Sequence, residues 1–157
     1  MNTDAEFREA NLRTPLPFGS YLSNPRTQRW RPPNPNELIM NTDAAVRPHD
    51  NFAGIGVCIR DHYLGRVIAC RLKRINGKLS PESAEILVVR EGLLFAQHMN
   101  LSISVIETDA SRVVQSMLHP QPLADTALVF TDIFHLMSIV NYGTSRYIPR
   151  EGNEVAH

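Results

Sequence analysis

The chain has 157 residues, of which 43% are hydrophobic and 20% are charged, a composition that excludes general disorder and allows one domain with a real core. Its 16 basic and 16 acidic side chains cancel, which argues against strong nucleic-acid binding through a basic excess. No apolar run approaches the ~18 residues of a membrane span, and the acidic N-terminus argues against a secretory signal or transit peptide. We therefore expect an intracellular protein of the nucleus or cytoplasm, without a membrane partner.

Residues 1–35 differ in composition from the rest of the chain. They contain Pro15, Pro17, Pro25, Pro32, Pro33 and Pro35, together with Arg8, Arg13, Arg26, Arg29 and Arg31. Because proline fixes φ and removes a backbone donor, this segment is predicted to be an extended or irregular linker or tail. Its arginines either contact phosphate or belong to a solvated linker. Residues 36–157 are predicted to form the domain.

The domain begins with three predicted strands, Leu38–Ala45, Ala53–Arg60 and Arg66–Leu72. Their β-branched residues and short connections predict an antiparallel meander. Gly54 and Gly56 alternate with apolar residues in the second strand, which indicates a close backbone approach on one face.

The two cysteines, Cys58 and Cys70, lie in the second and third predicted strands. Their spacing matches no zinc motif. We expect them to face each other across the hairpin as small, reduced core residues.

The second half of the domain alternates helices and strands. A loop at Ile75–Lys78 precedes a helix that is capped by Ser80, has Pro81 at its first position and runs to about Met99. The remaining predicted elements are a strand at Ser102–Thr108, helices at Ala110–Leu118 and Ala124–Val140, a strand at Tyr142–Ile148 and a helical start at Arg150. This order predicts an α/β fold with a five-stranded mixed sheet whose first three strands are antiparallel.

Three acidic residues are candidates for chemistry: Asp43 in the apolar first strand, Glu85 early in the long helix, and Asp109 at the end of the fourth strand. A buried carboxylate is costly unless it is paired or binds a cation, and oxygen ligands suit Mg²⁺ or Mn²⁺ rather than zinc. Each residue also has an ordinary explanation. Asp109 could cap the next helix, Glu85 could be an early-helix acid, and Asp43 could end its strand in a turn. Spacing alone leaves both explanations open.

Five motifs occur in order along the chain. They are Asn41-Thr42-Asp43-Ala44-Ala45, the run from Gly54 to Asp61, Ala84-Glu85 with Arg90-Glu91-Gly92-Leu93, Glu107-Thr108-Asp109, and the run from Arg150 to His157. With the preceding Trp30-Arg31-Pro32-Pro33, the chain resembles the plant ribonuclease H type-1-like domain family, which is related to the RNase H domains of non-LTR retrotransposons. The resemblance covers about residues 30–157.

The resemblance implies a ribonuclease H-like fold, with helices flanking the sheet, and endonucleolytic cleavage of the RNA strand of RNA–DNA hybrids. It implies that Asp43, Glu85 and Asp109 are catalytic acids that bind Mg²⁺ or Mn²⁺ as a pair of ions. The hybrid would be read mainly through backbone shape and 2′-hydroxyls. We expect the chain to act as a monomer.

The chain departs from the family pattern near its C-terminus. His157 stands where the ribonuclease H pattern has an acid, and it is predicted either to move protons as a fourth catalytic residue or to be a frayed residue without a role. The family continues into a C-terminal helix, so the domain is expected to be truncated there. Glu107, two residues before Asp109, either joins the acidic cluster or pairs elsewhere on the sheet. A second hypothesis follows, in which the chain is an inactive or weakly active relic that binds nucleic acid or protein.

Overall fold

The computed structural model describes residues 37–119 and 126–156. Its strands and helices are β1 (Leu38–Arg47), β2 (Phe52–Asp61), β3 (Val67–Asn76), α1 (Pro81–His98), β4 (Val105–Thr108), α2 (Ser111–Leu118), α3 (Ala127–Ile139) and β5 (Thr144–Tyr147). Short 3-10 turns cover Pro48–Asp50 and Arg150–Gly152. The predicted linker at residues 1–35, its boundary with the domain, and His157 lie outside the described residues and stay predictions.

The five strands form one mixed sheet in the order β3-β2-β1-β4-β5. β1 pairs antiparallel with β2, and β2 pairs antiparallel with β3. β4 lies parallel to β1, and β5 lies parallel to β4. The predicted mixed sheet with three antiparallel strands at its start is therefore confirmed.

The described core lies between one face of the sheet and the helices. Met40 and Val57 of the sheet, Leu93 of α1 and Ile133 of α3 are buried in one hydrophobic cluster. α1 approaches the sheet closely at Gly92, where an added Cβ would lie 2.7 Å from the sulfur of Met40. The apolar face of the long helix thus packs centrally on the sheet.

The start of α1 follows the sequence signals. The Ser80 hydroxyl accepts a hydrogen bond from the backbone N–H of Ser83 at 3.0 Å, and Pro81 occupies the first helical position. This cap satisfies a backbone donor that would otherwise have no partner in the helix. None of the described helices is long and apolar enough to cross a membrane.

Some predicted limits are wrong. β3 continues to Asn76, although a loop was expected from Ile75 onward, because Phe52 and Ala53 of β2 provide partners for both residues. β4 starts only at Val105, three residues after the predicted start. α3 and β5 lie inside their predicted ranges.

The cysteines face each other as predicted, since Cys58 and Cys70 are register partners in β2 and β3. Both are free thiols; Cys58 is buried and Cys70 is exposed. The expectation that both belong to the core is therefore wrong for Cys70. β3 is an edge strand, and on the same face Leu72 is 85% exposed.

The last described turn packs against β2 at Gly56. A Cβ added there would overlap the backbone carbonyl oxygen of Ala156, whereas one added at Gly54 would meet no described residue within 4 Å. The predicted close approach is confirmed at Gly56 and wrong at Gly54. Because Gly56 pairs with Asp43, the C-terminal turn lies next to the strand that carries this acid.

We expect Gly56→Ala to lower the free energy of unfolding by about 1–3 kcal/mol, because the backbone of Ala156 would have to move. Gly54→Ala is the matched control and should change it by less than about 0.5 kcal/mol. Urea denaturation followed by circular dichroism measures both variants. Equal stability of the two would contradict the close contact.

Candidate active site

The register between β1 and β4 sets the position of two acids. Thr42 pairs with Thr108 in this parallel ladder, so Asp43 and Asp109, the next residue on each chain segment, are neighbours. Glu85 comes from α1. One carboxylate oxygen from each acid lies within 4.8 Å of the others. The structure therefore brings together the three predicted acids, named here the carboxylate trio.

The ordinary explanations for two of these acids are wrong. Asp43 does not end its strand in a turn, because β1 continues to Arg47. Asp109 caps no helix among the described residues; instead the hydroxyl of Thr108 accepts a hydrogen bond from the backbone N–H of Ala110 at 3.1 Å, before α2 begins. The carboxylate of Asp109 lies in the trio and not at a helix cap.

The surroundings of Glu85 in the trio oppose ionisation of its carboxyl group. Its Oε2 is buried and has no hydrogen-bond partner among the residues that the structure describes. Burial first, and then the charges of Asp43 and Asp109, raise its pKa to about 8, against the opposing effects of the Ala44 amide and the Arg150 charge. A divalent cation would offset this like-charge crowding, and three carboxylates are the hard oxygen donors that Mg²⁺ and Mn²⁺ prefer. The trio fits such an ion.

Glu85→Gln is expected to stabilise the metal-free protein at high pH. Since the pKa of Glu85 rises from an ordinary 4.5 to about 8, the wild type loses stability relative to the variant as the pH rises through this interval. At high pH the free energy of unfolding of Glu85→Gln should exceed that of the wild type by about 2 kcal/mol once solvent screening is allowed for. In acid the two proteins should be equally stable.

Urea denaturation in a chelating buffer across this pH range measures that gain. Glu82→Gln, which changes an exposed carboxylate in the first turn of the same helix, is the matched control. An equal gain in Glu82→Gln would contradict the assignment to the trio.

Glu107 does not join the trio. It is 2% exposed, and its Oε1 accepts hydrogen bonds from Nε of Arg146 at 2.7 Å and from Nη2 of the same guanidinium. Its Oε2 accepts from Arg60 at 2.9 Å and from Asn41 at 2.8 Å. Burial raises its pKa, but the two arginines and Asn41 outweigh that effect, and the pKa lies below its usual value. The alternative of pairing elsewhere on the sheet is confirmed.

Two buried amides extend this cluster toward the trio. The amide nitrogen of Asn41 also donates to Oδ1 of Asn153 at 3.2 Å, and the amide nitrogen of Asn153 donates to the backbone oxygen of Thr42 at 2.9 Å. We call Glu107, Arg60, Arg146, Asn41 and Asn153 the Glu107 network. Both asparagines lie in motifs that carry the family resemblance, but the sequence alone indicates no role for them. For Asn41 the available signal was a polar residue within an otherwise apolar strand, whereas Asn153 lies between Glu151 and Glu154 and its surroundings gave no such signal.

We expect Glu107→Gln to lower the free energy of unfolding by about 3 kcal/mol, because it leaves two arginines around a neutral buried group. Glu82→Gln, whose partner Arg112 lies 3.8 Å away at an exposed site, should cost less than about 1 kcal/mol. Urea denaturation at neutral pH compares them. A similar cost for both would show that the network contributes no more than a surface pair.

A family model described as reverse transcriptase-like matches residues 41–157, more than half of the chain. The chain belongs to this reverse transcriptase-like family. The matched range includes the whole carboxylate trio and the whole Glu107 network. A comparison with curated proteins gives no significant match.

Solved structures similar to this reverse transcriptase-like chain include ribonuclease H domains. The N-terminal RNase H domain of Rv2228c from Mycobacterium tuberculosis, solved as a fusion with maltose-binding protein, has a TM-score of 0.68 at 20% identity and covers 76% of this chain and 87% of that chain. LC11-RNase H1 in complex with an RNA/DNA hybrid has a TM-score of 0.67 at 24% identity, covering 76% and 91%. RNase H1 from Halobacterium salinarum has a TM-score of 0.67 at 19% identity, also covering 76% and 91%. The predicted ribonuclease H-like fold is confirmed.

Proposed function

We propose that this reverse transcriptase-like chain is a metal-dependent endonuclease that cleaves the RNA strand of RNA–DNA hybrids. The observation that carries the proposal is the convergence of Asp43, Glu85 and Asp109 within 4.8 Å, with a buried oxygen of Glu85 that has no hydrogen-bond partner in the described part of the chain. A relative with the same fold, LC11-RNase H1, is solved with an RNA/DNA hybrid. We also propose that the chain is related to plant ribonuclease H type-1-like domains and to the RNase H domains of non-LTR retrotransposons.

Asp43, Glu85 and Asp109 would hold Mg²⁺ or Mn²⁺, as two ions in the proposed active state. When bound, such ions supply Lewis-acid stabilisation of a phosphodiester and acidify water. The protein contributes the placement of the acids. Each comes from a different element, so the sheet and α1 fix their separation before any substrate arrives.

The immediate surroundings of Glu85 support this role. The Ala44 amide hydrogen-bonds to its carboxyl and so fixes one side of the group, while Oε2 has no partner within residues 37–119 and 126–156. Asp43 is 7% exposed, and a site shielded from water strengthens electrostatic interactions with a bound ion and phosphate. An acid that only stabilised the fold would be expected to have its buried oxygens satisfied.

Substrate binding should be modest. The formal net charge is zero, so the phosphate contacts must be local rather than the product of a general basic surface. The hybrid would be recognised by its shape and its 2′-hydroxyls. We propose a monomer acting in the nucleus or cytoplasm.

The same neutrality favours one alternative, an inactive or weakly active relic that binds nucleic acid or protein through this fold. The two functions differ in what happens to a bound hybrid. The enzyme shortens the RNA strand in the presence of a divalent ion, whereas the relic releases it intact.

Cleavage of a labelled RNA strand in an RNA–DNA hybrid, in Mg²⁺ and then in Mn²⁺, tests the proposal. We expect cutting by the wild type and a loss of at least about a hundredfold in Asp43→Asn, because charge stabilisation at the reacting phosphate is lost. Asp50→Asn, a change at an exposed acid outside the trio, is the matched control and should keep full activity. Circular dichroism establishes that each variant is folded.

Absence of cutting by the folded wild type in both metals would overturn the enzyme proposal. Hybrid binding that persists under those conditions would support the relic. Cutting of single-stranded RNA as fast as of the hybrid would contradict the proposed substrate class.

A further inference from the structure

We propose that Asn153 is a positioning residue that holds Arg150 beside the carboxylate trio, where the guanidinium contacts a phosphate of the substrate. The inference rests on the proposed function for its substrate. It goes beyond that function by assigning roles to two residues outside the trio and to the buried network behind them.

The anchor of this arrangement is Glu107. Two guanidinium groups and one amide hold its carboxylate on both oxygens. Asn41 is equally constrained, because its Oδ1 accepts from Nε of Arg60 at 2.8 Å while its nitrogen donates to Glu107 at 2.8 Å. With Asn41 fully buried, rotation of its side chain would leave buried polar atoms without partners, which is costly.

Asn153 is the link from this anchor to the C-terminal turn. Its side chain is 1% exposed and uses both ends of the amide, accepting from Asn41 and donating to the carbonyl of Thr42, the residue before Asp43. Its backbone N–H donates to the carbonyl oxygen of Arg150 at 3.0 Å. One residue therefore ties the backbone of Arg150 to the strand that carries the first acid of the trio.

The same turn is held from its other side. The backbone N–H of Ala156 donates to the carbonyl oxygen of Asn153 at 3.0 Å, and the carbonyl of Ala156 lies against Gly56. Gly56 is the register partner of Asp43. The turn is thus fixed at both ends next to the trio.

Arg150 differs from the two arginines of the Glu107 network. Arg60 and Arg146 both form ion pairs with Glu107. The exposed Arg150 makes no ion pair with any residue in the described part of the chain. Its charge nonetheless acts on the Glu85 carboxyl. A guanidinium that has no ion pair among the described residues, beside a site that would bind phosphodiesters, is suited to bidentate contact with a phosphate.

A double-mutant cycle with Arg150→Gln and Asn153→Ala tests the proposal, with Asn76→Ala, an exposed asparagine at the end of β3, as the matched control. Each single change should lower kcat/KM for the hybrid at least about tenfold. If Asn153 acts through Arg150, adding Asn153→Ala to Arg150→Gln should cost less than about twofold. Asn76→Ala should match the wild type.

A second readout does not require catalysis. The Mn²⁺ concentration that gives half of the maximal rise in Tm reports ion binding at the trio. Arg150→Gln removes a positive charge near the trio and should lower this Mn²⁺ concentration about threefold or more. Asn153→Ala should lower it similarly, and the double variant should lower it no further.

Independent effects in the two single variants would show that Asn153 is merely structural and would overturn the proposal. An Arg150→Gln variant with unchanged cleavage and unchanged Mn²⁺ response would also overturn it, and this exposed change does not threaten folding. Asn153→Ser, which keeps a small polar group, replaces Asn153→Ala in the cycle if the alanine variant fails to fold. If the wild type itself does not cleave, the proposed function fails, and the Mn²⁺ series still decides whether Asn153 places Arg150.

Discussion

The parallel pairing of β1 with β4 is the constraint on which both polar clusters depend. Its register pairs Asn41 with Glu107 and Thr42 with Thr108, which brings Asp43 and Asp109 together just beyond the end of β4. Side chains alternate between the faces of a strand, so a slip of one residue would turn Asn41 and Asp43 into the hydrophobic core. Burial of the hydrophobic core therefore fixes the register, and the register positions Asp43 and Asp109.

The two clusters solve the problem of buried charge in opposite ways. Glu107 is neutralised by two arginines and an amide, and its pKa lies below its usual value. Glu85 lies among like charges with a buried oxygen unsatisfied, and burial with those charges raises its pKa to about 8. Buried carboxylates are stable only when paired or when they bind a cation. The contrast separates an acid that organises the fold from acids that are available to an ion.

Backbone contacts connect the clusters. The C-terminal turn touches β1 through Asn153 and β2 at Gly56, so its position depends on the same strands that carry Asp43. A glycine in β2 permits this approach because it has no Cβ. The fold thus converts a buried ion-pair network into a defined position for a loop at the edge of the candidate site.

Periodicity and end signals predicted much of the fold because they report local physics. Alternating β-branched residues predicted β1 and β2, and Ser80 with Pro81 predicted where α1 begins. The predicted ends of elements were wrong where pairing with a neighbouring strand sets the end. Ile75 and Asn76 are strand residues only because β2 provides partners, and Cys70 is exposed because its strand lies at the edge of the sheet. The chain itself does not state which strand is at the edge.

For the site, the residue types and the elements that carry them can be predicted from the sequence: Asp43 on a strand, Glu85 early in a helix and Asp109 after another strand. Together with the resemblance of its motifs, that was enough to name the carboxylate trio. The pairing of Glu107 with Arg60 and Arg146, which keeps it out of the trio, follows from the folded structure, because those partners are distant in sequence and meet through strand pairing. Hydrogen bonds and ion pairs depend on distances of a few ångströms between elements, and sequence spacing does not encode those distances.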